Sequence, residues 1–122
     1  MTTNDVPEED VVSSGFIPAD IRESTGPVAV YGVVRAKPGR VDELLNEIRT
    51  VIELTRDDAG YEQCVVHTTA SDPNAFIFYE RWSSGRALIA HVSQPCMAKY
   101  FAALAELAED LDPQWLKPIK FV

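Results

Sequence analysis

The 122-residue sequence holds two histidines, His67 and His91, and His91 follows Trp82 by nine residues. Histidine ordinarily titrates near pH ~6.5, which suits it to take a proton from a phenol or an enol. His91 is therefore the candidate proton acceptor and His67 the reserve, against the plainer roles of a capping or solvent-facing helix histidine and a satisfied strand-edge ring. Trp82 offers an indole that either stacks on a planar ligand or plugs the end of a sheet. Tyr100 and Phe101 are adjacent; both pack in a core, or one of them roofs a pocket. Glu80 and Arg81 point to opposite faces of a strand, so at most one meets a given cavity, and a structural ion pair or an interface contact is the expected role of both.

The missing motifs narrow the chemistry further. There is no glycine-rich phosphate loop, no HExxH, and no spaced set of Cys, His or carboxylates, so neither cofactor nor metal is expected. Cys64 and Cys96 stand far apart without close partners and read as reduced thiols. Such a chain is compatible with a protein that only binds a small ligand, and with an isomerase of a small carbonyl compound.

Positioning these residues requires a sheet and helices. Val28–Lys37 is β-branched and closed by Pro38-Gly39, which predicts a strand. Val41, Leu44, Leu45, Ile48, Val51 and Ile52 recur at helical spacing and predict a helix over 40–56. Tyr61–Thr69 and Ala75–Trp82 predict a hairpin across a turn-forming stretch. Ser83 or Ser84 can cap a short helix to Val92, Pro95 interrupts it, and a longer helix is expected over 96–110 before a closing strand over 113–122. Strand, helix, two strands, helix pair and strand give an α+β fold, a ferredoxin-like split βαβ sheet with helices on one face. The strands are apolar at odd and even positions alike, which predicts that the bare face is covered by a second copy, making a homodimer.

Composition sets outer limits. A formal charge of -8 argues against nucleic acid. No apolar run is long enough for a bilayer, so no membrane partner is expected and the cytoplasm is the default location. Residues 1–26 carry six acids against one arginine and predict an appended acidic arm, disordered or wrapped on a dimer partner, ahead of a single domain over 27–122.

The stretch FIFYERWSSGRALIAHVSQPCMAKYFAAL, with VVRAKPGRVDELLNEI and AGYEQCVVH upstream, resembles the antibiotic biosynthesis monooxygenase family. The resemblance implies a dimeric α+β barrel built from two ferredoxin-like sheets. It also implies oxidation of a small phenolic, quinol or polycyclic compound by molecular oxygen with no prosthetic group. His91 and His67 fall where members similar to quinol monooxygenases carry histidine. Haem-degrading members expect Asn, Trp and His where this chain has Gly32, His91 and Phe101, so haem is not implied. Polyketide-oxidising members expect Asn where Phe78 stands and keep the tryptophan found here as Trp82, while Cys96 replaces a frequent histidine. By this alignment Gly32, Phe78, Trp82, Tyr100 and Phe101 surround a ligand-binding pocket.

Overall fold

The computed structural model describes residues 15–121. In chain order the elements are a one-turn helix α1 (Ala19–Arg22), strand β1 (Val28–Ala36), helix α2 (Val41–Thr55), the hairpin strands β2 (Tyr61–Thr68) and β3 (Ala75–Trp82), helices α3 (Gly85–Val92) and α4 (Pro95–Leu107), and strand β4 (Ala108–Leu116). Local chemistry accounts for most boundaries. The Gly39 φ of 77° turns the chain out of β1, a conformation costly for any side chain with a Cβ. Ser84 caps α3 by accepting the Ala87 N–H at 3.1 Å, and Pro95 opens α4, where a missing N–H loses no bond.

The four strands lie in the order β2-β3-β1-β4 with every neighbouring pair antiparallel. This is the expected α+β, ferredoxin-like arrangement: α2 carries the chain from β1 to β2, and α3 with α4 carries it from β3 to β4. The helices share one face of the sheet, because the even-numbered residues of β1 enter both hydrophobic clusters. Val34, Ala36 and Phe76 pack with Leu44 and Ile48 of α2 and Leu104 and Leu107 of α4. Val28 and Trp82 pack with Leu88, Ile89 and Val92 of α3. None of the helices among the described residues is long and apolar enough to cross a membrane.

Three expectations need correction. First, residues 15–26 are not a loose appendage. Ile17 and Ile21 are buried in the α3 cluster of their own protomer, the Arg22 guanidinium donates to the Ile17 carbonyl at 2.7 Å, and the Gly85 N–H donates to the Ser24 carbonyl at 2.9 Å. The remainder of the expected arm, 1–14, lies outside the described residues. Second, the last helix ends at Leu107 and β4 begins at once, with Pro113 inside the strand and 117–121 beyond it. Glu109 and Asp110 would be unfavourable at the negative end of a longer helix, and an edge strand tolerates proline where its nitrogen faces outward. Third, the open face is not apolar throughout. The register places Ala29, Tyr31, Val33, Val65, Ile77 and Tyr79 at its centre, but Arg35, Gln63, His67, Arg81, Asp110 and Asp112 share that face.

Candidate active site

Cross-strand pairing sets the floor of the site. Cys64, Glu80, Val30 and Trp115 form one row across the four strands, and Val66, Phe78, Gly32 and Pro113 form the next. Gly32 is required by close approach: a Cβ there would lie 2.6 Å from the Asp112 carbonyl oxygen and 3.0 Å from Phe78 Cζ. The bare backbone of β1 thus lets the Phe78 ring lie over it. Above these rows, between sheet and helices, is a cavity walled by Ile48 and Ile52 of α2 and Met97, Tyr100, Phe101 and Leu104 of α4. It offers about 70 Å³ to the centres of water-sized molecules. On that measure, where a single water needs roughly 10–15 Å³, this is room for a small ring.

The cavity is apolar except at one end. There His91, in the last turn of α3, is only 2 % exposed and places Nδ1 2.8 Å from Asp58 Oδ2. Asp58 belongs to the turn between α2 and β2. Gly60 in that turn has φ 83°, and a Cβ on it would collide with the Ala87 and Ser83 side chains, so its absence lets the turn seat against α3. The Asp58 N–H donates to the Thr55 carbonyl at 3.0 Å and the Tyr61 N–H to the Asp58 carbonyl at 3.1 Å, which fixes the loop further. An ionised Asp58 can satisfy the short contact only if Nδ1 carries the proton. In the neutral ring the other nitrogen, Nε2, then keeps its lone pair; it lies 3.8 Å from Glu80 Oε1, beyond hydrogen-bond range.

Trp82 does not line the cavity wall; it backs His91. Its ring stacks on the imidazole with centroids 4.4 Å apart and planes 28° from parallel, and its Nε1–H donates to Glu80 Oε1 at 3.0 Å. One indole therefore contacts both the imidazole and the carboxylate. The Glu80 charge is felt by two further polar groups on the wall. Burial, with Glu80 adding to it, pushes the Cys64 thiol up to about 12, and the same two causes push the Tyr100 phenol well above its ordinary range. Both remain protonated at neutral pH.

His91, Phe78, Tyr100 and Phe101 thus meet around one cavity, with Gly32 beneath Phe78 and Trp82 behind His91. His67 is elsewhere. It pairs with Ile77 on the open face, is exposed, and borders a separate surface groove between α2 and β2. Glu80 faces the cavity, accepting from Trp82 and lying 3.8 Å from His91 Nε2, while Arg81, on the opposite face, pairs with Glu62 at 2.7 Å. Strand parity carried the signal, since Glu80 and Trp82 two residues apart must share a face. Nothing in the sequence tied Asp58 to a histidine 33 residues away. Nor did it mark Phe16, which roofs the cavity edge-on to Trp115 and Phe101, with centroids at 5.4 Å and 6.1 Å. Among the described residues no three His, Cys, Asp or Glu side chains converge as a metal ion would require.

A ferredoxin-like α+β protein with a small apolar cavity under its helices, polar at one end, is the class that sheet and site define. The chain belongs to the antibiotic biosynthesis monooxygenase family, whose sequence pattern matches residues 27–103. Among curated proteins it is 27% identical over 101 residues to the uncharacterised protein sll1783 of Synechocystis sp., covering 83% of this chain and 66% of that relative's length. Among solved structures it is similar to Rv0793 of Mycobacterium tuberculosis, with TM-score 0.74, 25% identity, and coverage of 79% of this chain and 98% of that one. A variant of SnoaB, a cofactor-independent oxygenase from Streptomyces nogalater, shares the fold at TM-score 0.70 and 12% identity, over 79% of this chain and 96% of that one.

Proposed function

We propose that the protein is a cofactor-independent monooxygenase acting on a small phenolic or quinol-type ring, and that it works as a homodimer with one cavity per protomer. The observation that carries this reading is the buried His91, held through Nδ1 by Asp58 and presenting Nε2 at the polar end of a ring-sized apolar cavity. His91 Nε2 takes the hydroxyl proton of the bound ring. The resulting anion passes one electron to molecular oxygen, and the ring radical and superoxide combine into a ring hydroperoxide. Loss of water from it leaves a new carbonyl. One phenol and one dioxygen thus give one quinone and one water, and the ring supplies all four electrons. The apolar walls favour the radical pair and keep bulk water from the hydroperoxide. Family membership and the shared fold with an oxygenase support the reading, as does the size of the cavity.

Oxygen uptake with a panel of single-ring quinols tests it. The wild-type protein should consume one oxygen for each hydroxyquinone formed, without releasing hydrogen peroxide, and His91→Ala should slow turnover by about 10²–10⁴-fold, the usual contribution of a positioned base. Ligands that raise the melting temperature while no oxygen is consumed would leave the protein a binder only.

A further inference from the structure

The charge of the cavity wall carries an inference about which rings can enter. We propose that the cavity selects ligands that donate a hydrogen bond and carry no negative charge, and that the Glu80 carboxylate sets this selection. Glu80 lies on the wall with its side chain 19 % exposed, and one of its oxygens is already occupied by the Trp82 N–H. Its remaining acceptor capacity is directed at donors, and Asp58 places a second carboxylate just behind His91. No lysine or arginine lies among the described residues of the wall. Arg56, whose charge reaches Cys64, is exposed and borders the separate groove of α2 and β2. An anionic ring entering from solvent would therefore be desolvated beside a carboxylate with no lysine or arginine among the described wall residues to compensate, whereas an anion formed in place sits beside the His91 imidazolium that took its proton. A hydroxyl or amide N–H would instead be received. The thiol of Cys64 and the phenol of Tyr100, both kept neutral by burial and Glu80, show the same field acting on the protein's own groups.

This rests on the cavity being the ligand site, but not on any oxygen chemistry there, and the two are separable by experiment. Binding is measured by calorimetry under nitrogen with hydroquinone, with gentisate, and with gentisamide, the uncharged amide of the same ring and nearly the same size. Gentisamide should bind the wild-type protein at least about tenfold more tightly than gentisate. In Glu80→Gln, whose amide oxygen can still accept the Trp82 N–H, that ratio should narrow to within about threefold. Near-ultraviolet dichroism checks that the variant is folded, and the wild-type comparison alone decides the matter if it is not. Equal binding of acid and amide to the wild type would overturn the proposal. So would an unchanged ratio in the folded variant, or failure of all three compounds to bind. Selective binding without oxygen uptake would remove the oxygenase reading and leave this one standing, whereas oxygen uptake with acid and amide at equal KM would do the reverse.

Discussion

Asp58 shows how much of a site can depend on a residue that does not line it. Its carboxylate selects the His91 tautomer, so Asp58→Asn, whose amide can present a donor to Nδ1, should release the ring to the other tautomer. Turnover should fall by about 10–100-fold with KM changed little, as for other groups that orient a functional side chain. Nitrogen NMR of the imidazole reports the tautomer directly, and an unchanged spectrum would deny Asp58 this positioning role. The buried thiol supports a second expectation. The folded-state pKa of Cys64 is raised from 9.0 to about 12 by burial, so the stability it contributes is fully present below about pH 9. It is lost as the pH climbs toward 12, because the unfolded thiol ionises first, and the raised Tyr100 phenol acts in the same direction. Urea midpoints should therefore fall across that alkaline window, and fall less steeply in Cys64→Ala. The sequence identified His91 correctly as a helix residue near Trp82 but gave no view of Asp58, because a contact across 33 residues leaves no periodic trace.

At the scale of elements, the segment before β1 is the most informative. Its composition predicts an acidic arm, disordered or wrapped on a partner, yet Ile17 is fully buried against Val28, Trp82 and Leu88 of its own protomer. Truncating it in Ile17→Ala should cost about 2–5 kcal/mol, the range for emptying a large aliphatic site, and would show as a lowered urea midpoint. A loss below about 0.5 kcal/mol, typical of surface sites, would mean that this segment is not anchored. Gly85 tests the same contact from the other side. A Cβ there would collide with the backbone oxygens of Ile21 and Arg22, so Gly85→Ala should push α1 off α3 and destabilise by about 1–3 kcal/mol. The strands, α2 and the Ser84 cap were legible because each has a local signature in spacing or turn chemistry. The junction of α4 and β4 was not. Leu104, Leu107 and Leu111 continue the helical spacing past the point where the chain extends, and packing on β1, through Leu107 and Ala108, adds to the charges of Glu109 and Asp110 in favouring the strand.

For the whole molecule, the sheet has one face covered by helices and the other open. Apolarity on both sides of the strands was legible in the sequence, whereas the charged rim was not, since it depends on which odd-numbered residues the register aligns. At the open centre Tyr31 is 42% exposed beside Val33, Ile77 and Tyr79, and around it Arg35 pairs with Asp72 at 2.9 Å and Arg81 with Glu62 at 2.7 Å. An apolar centre within a polar, internally paired rim is how protein interfaces are composed. Covering ~600 Å² per protomer would contribute on the order of 15 kcal/mol before the costs of association, at about 25 cal/mol per Å². Val33→Asp would place an unpaired carboxylate at the middle of that contact while leaving the cavity on the other face untouched. The wild type should therefore sediment as a dimer at micromolar concentration and the variant as a monomer. Because each chain carries a net charge of -8, association of the wild type should also strengthen with added salt as like charges are screened. Sedimentation of the wild-type protein as a monomer at both low and high salt would mean that the open face is solvent-facing, and that each cavity works without a second copy.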